Sequence, residues 1–574
     1  MIKKIVSKLI NILFVLITGL LFVLSLGKHC ELDMNTYEQI KSIVPHQVVV
    51  YAGVAVLMLM TLVFCGLIGE GLLTRREKNL VLWMPKICAA IITLISIVWI
   101  YFNDTVPHSD QAIILEEARK LAGYSSETYD WSYMSSFNFM RLLVIFMALL
   151  LKIFGDSQMV FRWFNIIAIL MLVIGMQRLT DYLCAGNEND SEQAKLNKNT
   201  SFSKLVISIV LMFFYPIIIY TCYVYGTLAA VTFQVWAFNF AILFLREILA
   251  ASDEANEHTN EKSIVHNIKK THVRHSIGYG IGSILCIFLG IQMHMSALIG
   301  MVAICIFLLL RCKKNGWYKN IVLVIAMVVF YLVGNWGVNE SYVKITNSPH
   351  QDAIPISAKV YMGLTAPETQ PGGPGSQDGS YWSMFELNDC DAAKTNEYLW
   401  PIIGDVVEEY LTGERPLTFF VKKIEYQWLD PSLDAHRIIL LNNPENGEGT
   451  NSPAYTDFYY SGLRRIALKL ATAFMILVYG MSCFAGVCQL LGLENRISAR
   501  TESGTDTANK EYINIHFLVQ IFVIGGFAFQ LIAESISRYV FSYYVLLLIE
   551  MVYGIYLLSE ILKWKLNWKI LRNT

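Results

Sequence analysis

The fold of this chain is indicated most clearly by the apolar run Leu80–Phe102, LVLWMPKICAAIITLISIVWIYF, and by the polar stretch directly after it, Asn103–Gln111, NDTVPHSDQ. An apolar segment of this length crosses a bilayer as a helix, because about 20 residues span the hydrocarbon core. The polar stretch cannot continue the span, since its carboxylates and amides are costly to remove from water. The two segments together predict a membrane helix that ends in a polar turn at the membrane surface.

The polar turn carries two aspartates, Asp104 and Asp110, and leads into a second helix. Apolar residues recur at helical spacing from Asp110 as far as a stop at Gly123, and Ser109 is a residue type that caps helix starts. A carboxylate at the mouth of a membrane helix is a candidate functional group, because an unpaired charge is expensive to keep dry there. A solvated loop with a capping aspartate explains the same residues equally well.

Composition indicates a membrane protein throughout. The chain has 574 residues, 55% of them hydrophobic and 16% charged, and a mean hydropathy of +0.46. Soluble globular chains carry about 25% charged residues. The net charge of −1 gives no indication of nucleic-acid binding, and the eleven cysteines show no paired spacing that would indicate zinc ligands or a disulfide framework. We therefore expect a polytopic membrane protein with reduced cysteines packed as small apolar residues.

The hydrophobic pattern predicts an all-α protein with about 12 transmembrane helices. Basic residues at Arg75, Arg76 and Lys78 place the loop after the second run in the cytoplasm by the positive-inside rule. Both termini are then cytoplasmic, and the turn with Asp110 faces outward. The predicted spans are a first run ending at Leu26, Val48–Gly69, Leu80–Phe102, and about 159–182, 204–222, 228–246, 277–293, 295–311, 319–338, 466–491, 514–533 and 539–560.

Several segments between these runs are predicted to lie outside the bilayer core. The run Phe139–Gly155 is short and contains Arg141 and Lys152, and a span here would move later basic clusters outside, so we expect an interfacial or re-entrant helix on the outer surface. The polar segments 186–199, 251–275 and 500–510 have no apolar period and predict flexible cytoplasmic loops.

Four regions follow from this organisation. Residues 1–79 hold two additional N-terminal helices, and 80–338 form a transmembrane core with an outer loop at 103–158. Residues 339–463 form an extracytoplasmic domain, and 464–574 hold the C-terminal helices. The extracytoplasmic domain contains aromatic residues that either stack on sugar faces or form its small core: Tyr381, Trp382, Trp400, Tyr426 and Trp428.

The order of motifs along the chain resembles a known family. The motifs, in chain order, are Pro107–Gln111, the Phe154-Gly155 turn, Arg162 with Asn165, the Tyr223-Val224-Tyr225-Gly226 segment and Glu534–Tyr539. In this order they resemble the GT-C glycosyltransferases, in particular the bacterial relatives of the protein O-mannosyltransferases (glycosyltransferase family 39). The resemblance covers roughly residues 84 to 560.

The resemblance implies a membrane glycosyltransferase that moves a sugar from a polyprenyl-phosphate donor to an acceptor hydroxyl on the outer face. It implies that Asp110 is the catalytic base, with Asp104 as the alternative carboxylate. Gln111 stands where many relatives have a second acid, and Thr227 where some have an aspartate. No cluster of outer-loop acids is visible, so we expect a metal-independent reaction without a cofactor; a divalent metal is the alternative. Attack opposite the leaving phosphate would invert the anomeric centre.

The chemistry of the reaction assigns further candidates. A departing phosphate needs cations, which Arg538, Arg162 and Arg141 can supply. Glu534 is four residues before Arg538 and shares a face with it if the segment is helical. The remaining predicted substrate-binding residues are His108, Gln111 and Tyr225. High Lys, Asn and Ile usage indicates a low-GC bacterium, for which undecaprenyl phosphate is the expected carrier and a cell-envelope glycan or protein the expected acceptor.

Other functions fit parts of the pattern. A lipid or sugar transporter predicts charged groups near the bilayer midplane, whereas the central turns of the predicted spans read as uncharged. A polysaccharide polymerase or ligase would share the helices and the lipid-linked substrates but depend on outer-loop arginines instead of Asp110. A purely structural membrane protein is the third alternative, and it leaves the placement of Asp110 and Arg538 unexplained.

Overall fold

A computed structural model describes residues 2–32, 38–73, 78–103, 105–126, 131–184, 193–257, 262–311, 317–370, 372–437, 462–493 and 516–573. The helices are α1 Ile2–Gly27, α2 Pro45–Leu73, α3 Lys78–Phe102, α4 Asp110–Ala122, α5 Trp131–Ser136, α6 Arg141–Phe154, α7 Met159–Cys184, α8 Gln193–Phe213, α9 Pro216–Ile219, α10 Thr227–Glu257, α11 Lys262–Met293, α12 Ala297–Leu310, α13 Trp317–Thr346, α14 Ile356–Thr365, α15 Ser380–Leu387, α16 Ala392–Thr412, α17 Thr418–Trp428, α18 Gly462–Leu490, α19 His516–Ile532 and α20 Phe541–Asn573. Short 3-10 turns lie at Asn138–Met140, Tyr220–Cys222 and Ser537–Val540, and two strands, β1 Lys28–Leu32 and β2 Glu38–Ser42, pair antiparallel.

Nine helices of the described chain are long and apolar enough to cross a membrane: α1, α2, α3, α7, α10, α11, α13, α18 and α20. The end of α8, Phe202–Phe213, and the helical turns Pro216–Cys222 form a pair bent by 65°. This pair would be a tenth spanning segment if it crosses the membrane as one unit. The bend falls at Pro216, whose ring cannot fit inside a regular helix. Helices α12 and α19 are apolar but have 14 and 17 residues. The helical, multi-pass class is confirmed, and the number of 12 spans stays a prediction.

The two N-terminal helices are integrated into the bundle. Helix α1 packs along α18, where Gly480 lies against the Phe22 ring and Gly486 against Phe14 and Val15. Glycine at such contacts lets two helix backbones approach closely. In lipid the hydrophobic effect does not drive helices together, so this close van der Waals packing stabilises their association. The helix at the centre is α20, whose residues from Phe541 to Val552 are almost all fully buried.

A β-hairpin that the sequence did not predict follows α1. Its strands lie against α17: the Cys30 amide donates to the Leu429 carbonyl at 2.8 Å, and Lys28 Nζ pairs with the buried Glu425 carboxylate at 2.6 Å. The β-hairpin therefore contacts the segment 347–437 on one face of the bundle. The all-α class holds apart from this hairpin.

Helices α14 to α17 form a small core of their own on that face. Tyr381 is buried within it, together with Phe385, Leu399 and Tyr410. Trp428 is 1% exposed and packs instead on Phe527 and Tyr543 of the bundle, at ring-centroid distances of 5.5 and 6.2 Å. Tyr381 therefore lies in this small core and Trp382 packs against it partly buried, whereas Trp428 belongs to the core of the bundle and Trp400 is exposed.

The structure corrects two of the predicted loops. Helix α10 continues to Glu257 and α11 begins at Lys262, so most of 251–275 is helical, and α8 begins at Gln193 inside the predicted loop 186–199. These stretches lie past the ends of the apolar spans and carry no apolar stripe in the sequence, so the hydrophobic pattern did not indicate helices there. The third predicted loop, 500–510, lies outside the described residues.

The local features around Asp110 are mostly as predicted. Helix α4 begins at Asp110 and ends at Ala122, where Gly123 takes a left-handed φ of 86°. Ser109 is not the expected cap, because its own backbone has φ 54° and its side chain makes no capping hydrogen bond. Helix α6 has 14 residues, too few to cross a bilayer, and it packs against α4 through a shared apolar cluster.

Candidate active site

A polar cavity of about 140 Å³ lies at the face where the loops meet. Five separate parts of the chain line it: the start of α4, the turn after the bent helix pair, the glycine-rich loop after α14, the turn after α17 and the segment before α20. The lining residues are His108, Ser109, Asp110, Gln111, Tyr223, Gly372, Ser376, Gln377, Asp434, Arg437, Ile536 and Arg538. The sequence analysis named four of them as site candidates: His108, Asp110, Gln111 and Arg538.

Asp110 and Arg538 face each other across this cavity. Arg538 Nη2 lies 3.7 Å from Asp110 Oδ2, with the side chains 19% and 35% exposed. Tyr133 donates a hydrogen bond to Asp110; burial and the charge of Asp110 raise the pKa of Tyr133 above its usual range, which keeps the hydroxyl protonated. Asp110 is also the first residue of α4, where the helix dipole favours a carboxylate. The structure thus brings a half-buried carboxylate and a cation to one cavity.

Arg538 is held by aromatic side chains, and not by Glu534 as expected. Its Nη1 lies 3.5 Å from the Tyr223 hydroxyl, and its guanidinium lies over the Tyr539 ring at 5.5 Å. Glu534 instead accepts a hydrogen bond from the Tyr539 hydroxyl at 3.3 Å. The expected shared helical face does not exist, because residues 534–536 are not helical and Ile536 is extended.

The other two predicted phosphate ligands are buried away from the cavity lining. Arg162 donates to the backbone carbonyls of Ile100, Asn103 and Thr105, the last at 2.6 Å. It thereby ties down the chain that leads to Asp110. The described contacts of Arg162 are to the protein itself, and we assign it a structural role.

Arg141 is similarly engaged inside the protein. Its Nε donates to the Met134 carbonyl at 3.1 Å, its Nη1 contacts Asn339 Oδ1 at 3.3 Å, and its guanidinium lies over the Tyr342 ring. These contacts connect the start of α6 with α5 and α13. The side chain is 4% exposed, so a substrate phosphate could reach it only after rearrangement.

Gln111 and Asn165 support the turn that carries Tyr223. Gln111 Oε1 accepts the Val224 amide at 3.0 Å, and Asn165 Nδ2 donates to the carbonyls of Thr221 and Tyr223. Gln111 therefore fixes the wall of the cavity. This role was not predicted from its position, where many members of the family have a second acid.

Tyr225 lies behind the cavity lining. Its ring stacks on Tyr223 at 5.2 Å and meets His294 edge-on at 6.0 Å. His108 lines the cavity and is exposed at its mouth. Asp104, the alternative base, lies outside the described residues.

The sequence analysis missed Asp434, which follows the turn at the end of α17. Asp434 is 3% exposed, and its Oδ2 has no hydrogen-bond partner. Burial raises the pKa of its carboxyl above the usual range, and the charges of Arg437 and Arg538 oppose that rise. The Asp430 carboxylate accepts the amides of Ser432 and Asp434 and the hydroxyl of Ser537, so it links this turn to Arg538.

A buried lysine joins α14 to the segment before α20. Lys423 is fully buried, and its Nζ donates to the carbonyls of Gly363 and Ala533, both at 2.5 Å. Burial lowers the pKa of Lys423 to about 7. Gly375 has φ 72°, and a Cβ there would lie 2.5 Å from the Gly363 carbonyl oxygen, so only glycine fits at this contact.

A second, wider cavity of about 720 Å³ lies along another side of α4. Its charged residues are paired with one another: Arg119 with Asp156 at 2.7 Å, and Lys120 with Glu117 at 2.8 Å. Arg119 and Asp156 do not line the first cavity and so provide matched controls for its arginine and aspartate.

The prediction that the central turns of the spans carry no charge is wrong. Glu550, inside α20, is fully buried, and both its carboxylate oxygens lie 3.1 Å from His516 Nδ1. The sequence pattern hid this charge because a single glutamate hardly changes the hydropathy of a long apolar run. The pair lines neither of the two cavities described above.

Among the described residues, no group of three or more histidine, cysteine, aspartate or glutamate side chains is placed to hold a metal ion. No protein-family model matches this chain, and no curated protein or solved structure matches it significantly.

Proposed function

We propose that this protein is a membrane glycosyltransferase that transfers a sugar from a polyprenyl-phosphate donor to an acceptor hydroxyl at the outer face of the membrane. The observation that supports this most is the Asp110–Arg538 pair in one cavity at the ends of membrane helices. A carboxylate can accept the acceptor's proton, and an arginine can receive the departing phosphate. The lipid tail of the donor would remain beside the apolar helices.

In the proposed reaction Asp110 takes the proton from the acceptor hydroxyl while the oxygen of that hydroxyl attacks the anomeric carbon of the donor sugar. The carbon–oxygen bond to the donor phosphate breaks, and the electron pair leaves with the polyprenyl phosphate. Attack opposite the leaving group inverts the anomeric centre. No metal or other cofactor takes part in this proposal; Arg538 stabilises the charge that develops on the phosphate.

The geometry of the Asp110–Arg538 pair suits a site that must open for substrates. Charge-assisted hydrogen bonds between such groups measure about 2.7–2.9 Å, whereas this pair lies 3.7 Å apart. The guanidinium is therefore close to Asp110 without being locked onto it. A donor phosphate can compete for Arg538 and leave Asp110 free to accept a proton.

Sidedness is part of the proposal. The positive-inside rule assigns the face that bears the cavity to the outside of the cell membrane, with both termini inside. Cys390 is exposed on the segment between α15 and α16. An impermeant maleimide added to intact cells should label wild-type protein and not Cys390→Ser. Labelling of Cys390 only after permeabilisation would reverse the topology and remove the outer-face reaction.

The experiment that tests the function is mass spectrometry of envelope glycans from a deletion strain. The strain should lose one sugar substituent, and wild-type protein should restore it. Asp110→Ala should not restore it, whereas Asp156→Ala should, because Asp156 lies outside the cavity. An unchanged glycan profile in the deletion strain, or restoration by Asp110→Ala, would refute the proposal.

Two other functions are alternatives to a glycosyltransferase. The buried Glu550–His516 pair is the observation that favours a proton-coupled lipid or sugar transporter, since ionisable groups inside spans often relay protons. A polysaccharide polymerase or ligase would use the same cavity and the same lipid-linked donors. It would differ in transferring a glycan chain, which the mass of the lost substituent distinguishes.

A further inference from the structure

Two polar atoms in the cavity wall have no hydrogen-bond partner in the described part of the chain. Ser376 is 2% exposed and Asp434 is 3% exposed, and both residues line the cavity. Neither Ser376 Oγ nor Asp434 Oδ2 makes a hydrogen bond to any residue that the structure describes. Buried polar atoms in folded proteins almost always have partners. Two unpaired atoms on one cavity therefore indicate a ligand that supplies the missing hydrogen bonds.

The wall that carries these atoms is held in place. Gly375, directly before Ser376, accepts the Ser535 amide at 2.8 Å and packs against Lys423. The Asp434 amide is bound by the Asp430 carboxylate, which also anchors Ser537. Because both backbones are fixed, Ser376 and Asp434 cannot easily turn to find partners elsewhere, and the wall is preorganised for a ligand.

The chemistry of the two side chains selects the ligand. An ionised carboxylate only accepts hydrogen bonds, so Asp434 needs donors and repels a phosphate. A serine hydroxyl both donates and accepts. Neighbouring hydroxyl groups on a sugar ring provide both functions, and they are neutral. The phosphate belongs on the side of the cavity where Arg538 lies.

We propose that Asp434 and Ser376 form a subsite that hydrogen-bonds the ring hydroxyls of the transferred sugar and so selects among donors. This inference rests on the proposed function, because it takes the sugar of the polyprenyl-phosphate donor as the ligand. It divides the cavity into a sugar-recognising wall at Asp434 and Ser376 and a phosphate-recognising side at Arg538.

The test measures binding to the full-length protein in lipid nanodiscs. The probes are undecaprenyl phosphate alone and undecaprenyl phosphate carrying glucose, galactose, mannose or N-acetylglucosamine. Wild-type protein should bind at least one sugar-bearing lipid about tenfold or more tighter than the bare carrier, the gain that one hydrogen bond to a charged group provides. Asp434→Asn and Ser376→Ala should each lose most of that gain.

The bare carrier gives the internal control. Its affinity should be unchanged in Ser376→Ala and unchanged or higher in Asp434→Asn, where a charge that repels phosphate is gone. Ser383→Ala, on an exposed position of α15, should behave as wild type. Ser376→Ala is the conservative variant that keeps the test valid if Asp434→Asn does not fold.

Two results would overturn the subsite: a sugar-dependent gain that persists in both variants, or no gain for any sugar-bearing lipid in wild-type protein. Failure of the proposed function looks different. In that case no polyprenyl-phosphate probe binds at all, and methyl hexosides become the probe. Binding of a methyl hexoside that is lost in both variants would retain a sugar site while rejecting the lipid donor.

Discussion

Replacement of Arg538 by lysine tests the phosphate side of the cavity. Two different nitrogens of the guanidinium face two partners: Nη2 lies 3.7 Å from Asp110 and Nη1 lies 3.5 Å from Tyr223. A lysine ammonium is a single point and cannot occupy both positions, nor can it contact two phosphate oxygens with the geometry of a planar fork. Arg538→Lys therefore keeps the charge and loses the geometry.

The expected loss follows from one charge-assisted contact. Such a hydrogen bond contributes about 1.5–3 kcal/mol, and each 1.36 kcal/mol on the barrier is a factor of ten. Transfer by Arg538→Lys should therefore be roughly 10- to 150-fold slower than by wild-type protein. Arg538→Ala should be slower still, because it removes the cation and leaves Asp110 without its partner.

The assay is the initial rate of sugar transfer in proteoliposomes that contain the purified protein and a polyprenyl-phosphate donor. Arg119→Lys is the matched control, since Arg119 also pairs with an aspartate, Asp156 at 2.7 Å, but does not line the cavity. It should retain nearly the wild-type rate, and all variants should unfold at similar temperatures. Wild-type rates in both Arg538→Lys and Arg538→Ala would refute a phosphate role for this residue.

Three further outcomes follow from the contacts. Arg162→Lys should destabilise the protein by about 1–3 kcal/mol in thermal unfolding, because at least one buried carbonyl loses its charged donor; added undecaprenyl phosphate should not rescue it, whereas a phosphate ligand would leave stability unchanged. For Lys423, burial lowers the folded-state pKa from 10.5 to about 7, so between these values the unfolded state binds one more proton and stability should rise with pH by up to about 1.4 kcal/mol per unit; Lys423→Met should flatten that slope in melting curves from about pH 7 to about pH 10. Glu550→Gln should leave the transfer rate near wild type and lower the melting temperature, whereas a proton-coupled uptake of lipid or sugar that Glu550→Gln abolishes in proteoliposomes would favour the transporter alternative.

The sequence predicted those elements whose signals are local. The limits of α4 follow from its apolar spacing and from Gly123, and the break between α11 and α12 follows from the polar His294. The β-hairpin after α1 has no comparable signal. Its strands are short and polar, and they are stabilised by contacts to Glu425 and Leu429, far away in the chain.

The candidate site was predictable only in part for the same reason. Asp110 stood out because it follows a membrane helix. Asp434 reaches the same cavity from more than 300 residues away, and only the fold brings the two together. Arg162 was assigned to a phosphate because, in a sequence, an arginine that binds backbone carbonyls cannot be distinguished from one that binds a ligand. The expected Glu534–Arg538 pair depended on a helix that is not present.

The most direct test of the central claim is the transfer rate of Asp110→Asn. Asparagine keeps the size and hydrogen bonding of aspartate but does not take up a proton at neutral pH, so transfer should fall about 10²–10⁴-fold, the usual contribution of a general base. Donor binding and the melting temperature should remain close to wild type, and Asp104→Asn should transfer at nearly the wild-type rate. A wild-type rate in Asp110→Asn, or an inactive Asp104→Asn beside an active Asp110→Asn, would contradict the assignment of Asp110 as the base.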